Sequence, residues 1–276
     1  MEPRAAWQLA LPLALAQMLF FLAPLLLLAA TSFSTDENLA AASSRAWGEV
    51  LGDSFQLRAL WNTMRLGGLT VLATMLLAVP LALLHLAAGP RLKRLILLAA
   101  VLPLLTSVVV RTFAWIAILG REGVINTMLL STGLAAAPVA LLQTEPGLIL
   151  ALTQIEMPLM LLPLIAATAR IDPALLDASV ALGASLFRTL RRVVLPLALP
   201  GLLAGATLVF ASAATAFISQ SVIGGGRLAY LPALVWQQAM VVFDWPLAAA
   251  MALTLMGSVL AVTAALSALG RRAANA

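Results

Sequence analysis

Six nearly continuous apolar runs dominate this chain: Leu9–Thr31, Met64–Ala87, Leu95–Leu119, Gly147–Ala169, Leu197–Ser219 and Pro246–Leu269. Each reaches the roughly 20 helical residues needed to cross a hydrocarbon layer. Inside lipid every backbone N–H and C=O must find its partner within the protein, which leaves only helices and closed barrels. The runs show no two-residue alternation, so helices are predicted and a barrel is not. The residues outside the runs are too few to clothe a water-soluble core. Hydrophobic residues make up 63% of the 276 and charged residues 10%, against about 25% charged in an ordinary soluble domain. A soluble enzyme, a nucleic-acid-binding domain and a disordered chain are excluded on this ground. The expectation is an all-α integral membrane protein with six transmembrane helices.

The net charge of +5 is unevenly spread. Basic residues collect before the first run (Arg4), between the second and third (Arg91, Lys93, Arg94), between the fourth and fifth (Arg170, Arg188, Arg191, Arg192) and after the sixth (Arg271, Arg272). The other connections set Asp36, Glu37, Glu49 and Asp53 against Arg45 and Arg58, Glu122 and Glu145 against Arg121, and Asp244 against Arg227. Short cytoplasmic loops carry the excess of Lys and Arg, so both termini are predicted to be cytoplasmic. An even number of spans likewise puts both termini on one side. The connections Ser32–Asn62, Gly120–Pro146 and Gln220–Trp245 are then external, and their Trp47, Trp61, Trp236 and Trp245 suit interfacial belts. Arg4 and the small Ala29-Ala30-Thr31 mimic a signal peptide. The first run exceeds the usual h-region of about 7–15 residues, so a retained helix is expected. No internal repeat or long polar linker interrupts what reads as one membrane domain.

Residues Arg170–Leu195 differ from the other connections in length and amphipathicity. Asp172-Pro173 combines an N-cap with proline at the first helical position. A short helix through Leu182 is predicted, then a left-handed end at Gly183. A second helix, Ser185–Val194, should carry Arg188, Arg191 and Arg192 on one side. An interfacial hairpin with its arginines on anionic headgroups would explain that much. The spacing asks for more. Asp177-Ala178-Ser179, three residues, Gly183, nine residues, Val193, one residue and Leu195-Pro196 together resemble the EAA motif of ABC importer permeases, Glu-Ala-Ala-(three)-Gly-(nine)-Ile-(one)-Leu-Pro. The spacing matches throughout, and Asp for Glu, Ser for Ala and Val for Ile are the departures. Asn62-Thr63, the segment PLLTSVVVRTFAW from Pro103 to Trp115, GVIN from Gly123 to Asn126, and Val222–Pro246 with its VIGGG run extend the likeness over about residues 60–265. They resemble the polyamine (spermidine/putrescine) branch of that family.

The resemblance implies a type I ABC importer permease fold. Residues 1–59 would form an N-terminal transmembrane helix and external loop, 60–269 a five-helix core with a coupling loop at 170–196, and 270–276 a cytoplasmic tail. It also implies a machine of several chains in a bacterial inner membrane. These are two cytoplasmic ATP-binding subunits, a second permease subunit identical or related to this one, and a periplasmic solute-binding protein. Membrane lipid is the surrounding partner, and nucleic acid is not one. The loop helix would dock on an ATPase subunit and carry its motion to the spans as a rigid lever. Ala178, Ser179 and Gly183 would be its contact and bend residues. Asp177 would fix the loop through Arg188 or Arg191, and Leu195-Pro196 would anchor the lever to the fifth span. The solute implied is a polyamine or another small organic cation, with iron(III), thiamine or a phosphonate as alternatives in the same branch.

No catalytic residue and no cofactor are expected in this chain. ATP and Mg would be bound by a partner subunit, because Gly224-Gly225-Gly226 lacks the Gly-Lys-Ser/Thr that completes a phosphate loop. That run reads either as an external turn or as a contact with the solute-binding protein. With no cysteine and one histidine, no zinc-thiolate, iron–sulfur or multi-histidine metal site can be built, no other metal site is expected, and the isolated histidine leaves no Ser/His/Asp set. Four ionisable residues lie in or near the spans: Arg65, His85, Arg111 and Glu156. Such groups usually face a partner or a water-filled cavity. Glu156 is either a pathway residue that attracts a cationic solute or half of a structural pair with Arg111. Arg65 is expected to snorkel to the outer face, and His85 to be a satisfied packing residue. Pro103, Pro158 and Pro163 can kink spans three and four. The competing classes are an ion-driven secondary transporter, which should show inverted repeats and more intramembrane acids, and an intramembrane enzyme, for which Glu156 lacks a catalytic partner.

Overall fold

The computed structural model describes residues 3–36 and 41–275, with side chains except at 3–10, 13, 14, 186 and 272–275. Glu37, and the side chains of Arg4 and Arg272, lie outside the described residues. Among those residues the secondary structure is helical apart from one isolated bridge between Ser34 and Ala42. Five helices are long and apolar enough to span a membrane, and there are six if the bent pair Pro90–Leu105 and Val108–Ser131 is counted as one span. The chain divides into two compact units, Met1–Leu60 with Leu231–Gly257, and Trp61–Tyr230 with Ser258–Ala276.

The first unit contains α1 (Pro3–Ser32), α2 (Arg45–Gly52), the first turns of α3 (Ser54–Ala87), α12 (Leu231–Gln237) and the start of α13 (Trp245–Asn275). Helix α1 is apolar all round and leaves Phe20, Phe21 and Leu26 exposed within the chain. That suits lipid or another subunit rather than water. Amphipathic α2 buries Ala46 and Val50. Trp47 stacks on Phe33 at 5.5 Å and donates its indole N–H to Ser32 Oγ. Arg45 reaches Glu49 at 3.0 Å and Asp244 at 2.7 Å. The Asp244 hydrogen bond and charge raise the guanidinium further above its usual range. Asp244 Oδ1 also accepts from the Leu247 N–H and so caps α13. Phe243 turns the chain there at φ +62°.

The second unit is built around α7 (Glu145–Thr168) and α10 (Leu195–Ala214). Their contact is close because glycine sits at two positions of α10 one turn apart. A Cβ on Gly201 would collide with the Ala167 methyl and the Pro163 carbonyl, and one on Gly205 would lie 3.0 Å from Met160 backbone atoms. Small residues let helix backbones approach where lipid supplies no hydrophobic drive. Ala78, Ala82, Ile96, Met160, Leu164, Leu202 and Val209 fill the inner part of this core.

Three span boundaries differ from expectation. The third span is not one helix over Leu95–Leu119. It consists of α4 (Pro90–Val101) with a 3-10 turn Leu102–Leu105, followed by α5 (Val108–Leu119) and α6 (Val124–Ser131). The two arms, Pro90–Leu105 and Val108–Ser131, meet at 104°. Pro103 cannot donate to the ladder. The Thr106 N–H and hydroxyl both turn back to the Pro103 carbonyl, and Thr106 itself is extended at ψ 145°. The fifth span ends at Ala214 rather than Ser219. The Gln220 amide, from α11 (Phe217–Ile223), donates to the Ala213 and Ala214 carbonyls and satisfies the helix end. Helix α3, which carries the second run, begins at Ser54, ten residues before it, because its first turns mix Phe55, Leu57 and Trp61 with Gln56, Arg58 and Asn62 and so lie outside a continuous apolar run.

Candidate functional site

Helix α8 (Pro173–Ala181) begins where its sequence says it should: Asp172 Oδ1 accepts from the Ala174 N–H at 2.9 Å, and Pro173 opens the first turn. It ends one residue before Leu182 in a Schellman motif. The Ala184 N–H bonds the Ser179 carbonyl at 3.0 Å, the Gly183 N–H bonds Val180 at 2.9 Å, and Gly183 takes φ +72°. A Cβ on Gly183 would meet nothing within 4 Å. The glycine is therefore set by backbone conformation, not by crowding inside this chain.

The predicted second helix, Ser185–Val194, is not a separate element. A four-residue α9 (Leu186–Thr189) passes into a π-turn, Leu190–Val194, which runs into α10 without a break. Pro196 explains the π-turn. It has no N–H for the Arg192 carbonyl and its ring crowds that turn, while the Leu195 N–H skips back to Leu190. Leu195 and Pro196 thus join the elbow to the fifth span as one continuous lever.

The proposed contact residues separate on inspection. Asp177 and Ala178 are exposed, as is Gly183. So are Leu175, Val180 and Leu182, the last at 87%, and Phe187 at 73%. Ser179 is not on that surface. It is 8% exposed, and its hydroxyl lies 2.9 Å from Thr189 Oγ1. The expected fixing of the loop by Asp177 is also absent. Among the described residues Asp177 makes no ion pair with Arg188 or Arg191, and the loop is held by its hydroxyls and its Schellman bonds. Thr189 was missed in sequence because a threonine beside three arginines carries no spacing signal.

A second polar group sits midway along α7. Glu156 is 5% exposed and lies close to Ser212 of α10. Arg111 of α5 is close, but the two make no contact ion pair; Arg111 Nη1 instead donates to the Ile155 carbonyl at 3.1 Å. Pro158 leaves the Gln154 carbonyl without its helical donor and opens that stretch of α7. The Trp115 indole N–H donates to Gln154 Oε1 at 3.1 Å, and Thr112 pairs with Ser219 at 3.0 Å. Beside these lies a cavity of about 270 Å³ in the bend of the broken span, lined by Pro103, Trp115, Thr153, Gln154, Met157 and Pro158. Arg111 Nε is buried without a hydrogen-bond partner. Ser212 and Gln154 were invisible to sequence reasoning, since neither stands in a motif.

At the outer end of α3, Arg65 does not simply snorkel. It pairs through two nitrogens with the Glu145 carboxylate, Nε to Oε1 at 3.1 Å. Asn62 donates to the Ala229 carbonyl, and Asn126 closes residues 120–139 by bonding Gly120 and both backbone groups of Val139. The Gly224–Gly226 run is a turn, with Gly225 and Gly226 at positive φ and Gly225 against the Gln143 side chain. His85 is buried as expected, but its Nε2 has no partner.

Long apolar helices, a span broken at a right angle and an exposed capped elbow between the fourth and fifth spans define the membrane component of a transporter. Residues 68–275 match the family described as binding-protein-dependent transport system inner membrane component, and the chain belongs to it. It is 31% identical over 198 residues to the spermidine/putrescine transport system permease protein PotB of Haemophilus influenzae, covering 72% of this chain and 69% of the relative. It is 34% identical over 143 residues to a putative 2-aminoethylphosphonate transport system permease protein of Salmonella typhimurium, about half of each chain. Its fold is that of a bacterial alginate ABC transporter solved in complex with an alginate pentasaccharide-bound periplasmic protein. There the TM-score is 0.81 at 19% identity, over 97% of this chain and 94% of the other. The chain is accordingly an ABC importer permease, a multi-pass component of the inner membrane.

Proposed function

We propose that this permease carries a small organic cation of the polyamine class inward by alternating access, driven by ATP that other subunits bind and hydrolyse. The coupling part of the reading rests on one observation. An exposed apolar helix, α8, is capped at both ends and welded through a proline-induced π-turn to a membrane-spanning helix. Its Leu175, Ala178 and Leu182 face is exposed in this chain, and an ATPase groove is the partner that this face would fit. Asp177, which makes no ion pair among the described residues, is available to a basic residue of that subunit. ATP and Mg belong to it as well. A second permease copy or relative would complete the pathway, and a periplasmic protein would deliver the solute.

The substrate class is supported by the name of the polyamine relative and by a buried carboxylate, Glu156, midway along a span. The phosphonate relative marks the second reading, which the neighbouring Arg111 favours.

The test is a mild-detergent pull-down of the tagged chain, with mass spectrometry of the partners and of the ligand on the solute-binding protein. Recovery of an ATP-binding subunit and a binding protein carrying a polyamine supports both parts. A phosphonate ligand overturns the cation, and isolation of the chain alone under conditions that preserve known importers overturns the coupling.

A further inference from the structure

Threonines on the long helices of this protein turn their hydroxyls onto their own backbone: Thr74, Thr153, Thr207 and Thr254 each donate to the carbonyl four residues back at 2.6–2.8 Å. That is the usual local bond of a helical threonine. Thr189 bonds differently. Its Oγ1 lies 2.9 Å from Ser179 Oγ, across the Gly183 bend, and both residues are buried at 8% exposure. The direction of the bond follows from its neighbour. Ser179 Oγ donates its single proton to the Leu176 carbonyl at 2.7 Å, so Thr189 must be the donor to Ser179. The result is a relay, Thr189 O–H to Ser179 Oγ and Ser179 O–H to Leu176 C=O, in which each bond polarises the next.

Among the described residues no other side-chain hydrogen bond joins α8 to α9. The opposite side of α9 and the π-turn borders an apolar cavity of about 360 Å³, lined in part by Leu83, Leu164, Phe187, Leu190 and Val194. Packing there is loose, so the angle between α8 and the α9–α10 lever depends on the Schellman bonds and on the hydroxyl relay. We infer that Thr189 is a positioning residue for coupling, holding α8 against the lever through Ser179 so that motion imposed on α8 reaches the fifth span.

The inference rests on the coupling reading above, and two measurements keep the two apart. Thr189→Val retains the shape and removes the donor; Thr189→Ser retains the donor. Ser179 keeps its bond to Leu176 in both, so neither leaves a stranded proton. Hydrogen exchange on the purified full chain reads the relay without transport: the Leu182–Ala184 amides should exchange about fivefold faster in the valine variant and as in the parent in the serine variant. In proteoliposomes holding the whole transporter, solute moved per ATP hydrolysed should fall about as much in T189V, with ATP hydrolysis retained and the ratio restored in T189S. Unchanged exchange in T189V overturns the relay. Faster exchange with an unchanged ratio overturns its role in coupling. A parent complex without ATP-driven uptake would overturn the transport reading, while the exchange result still decides the relay.

Discussion

Gly183 shows how a single position can be read twice. Its spacing in the motif marks it as a bend, and its φ of +72° explains why glycine stands there. No neighbour lies within 4 Å of a would-be Cβ, so a side chain costs only the left-handed conformation, about 1–2 kcal/mol. Aspartate is among the residues that bear that conformation best. Gly183→Asp should therefore insert and accumulate normally, hydrolyse ATP in the assembled complex and fail to drive uptake. Normal uptake by that variant would remove Gly183 from the docking surface.

Glu156 is read from chemistry rather than from spacing. A carboxylate buried in a span is costly unless it is used or paired, and Ser212 and Arg111 are the polar groups close to this one. Glu156→Gln keeps a hydrogen-bonding group of the same shape and removes the negative charge. Uptake of a polyamine should drop at least tenfold with the amount of membrane-inserted protein unchanged. If the glutamine variant transports like the parent, the carboxylate is structural.

At the level of the helices, the junction of α7 and α10 is the most demanding packing in the second unit. Gly201 and Gly205 admit α7 backbone where no methyl fits. Overpacking a filled interior commonly costs about 1–3 kcal/mol. Gly205→Val places branched bulk against Met160 and should lower the thermal midpoint of the detergent-solubilised protein, whereas Gly257→Val, where nothing lies within 4 Å, should leave it nearly unchanged. Equal midpoints would refute the close-approach account. The broken third span belongs to the same level. Pro103 was legible as a possible kink, but a proline alone bends a helix modestly. The right-angled turn also needs the Thr106 backbone to extend and its hydroxyl to close on the Pro103 carbonyl.

For the chain as a whole, orientation rests on charge asymmetry between successive connections. The absence of cysteine makes this directly testable. A membrane-impermeant thiol reagent should label a cysteine introduced at Ala178 or Ser185 only after the cytoplasmic face is opened, and one introduced at Gly133 or Gly226 in intact cells. The reverse pattern would invert the topology and take α8 out of reach of an ATPase.

Hydrophobic length, loop charge and a spaced motif are local properties, and they carried the all-helical membrane fold, the predicted orientation and the position of the elbow. Caps such as Asp172 and the turn at Gly183 belong with them, because their partners lie within a few residues. The elbow's inner face could not be read the same way. Ser179 was assigned to the outside because a motif records that a residue matters without saying which way it points. The neighbour that turned it inward, Thr189, lies beyond the bend. Likewise Arg65 found Glu145 and Thr112 found Ser219 across long stretches of chain. A buried charge or hydroxyl must be matched by some polar group, but which one depends on how the helices come together.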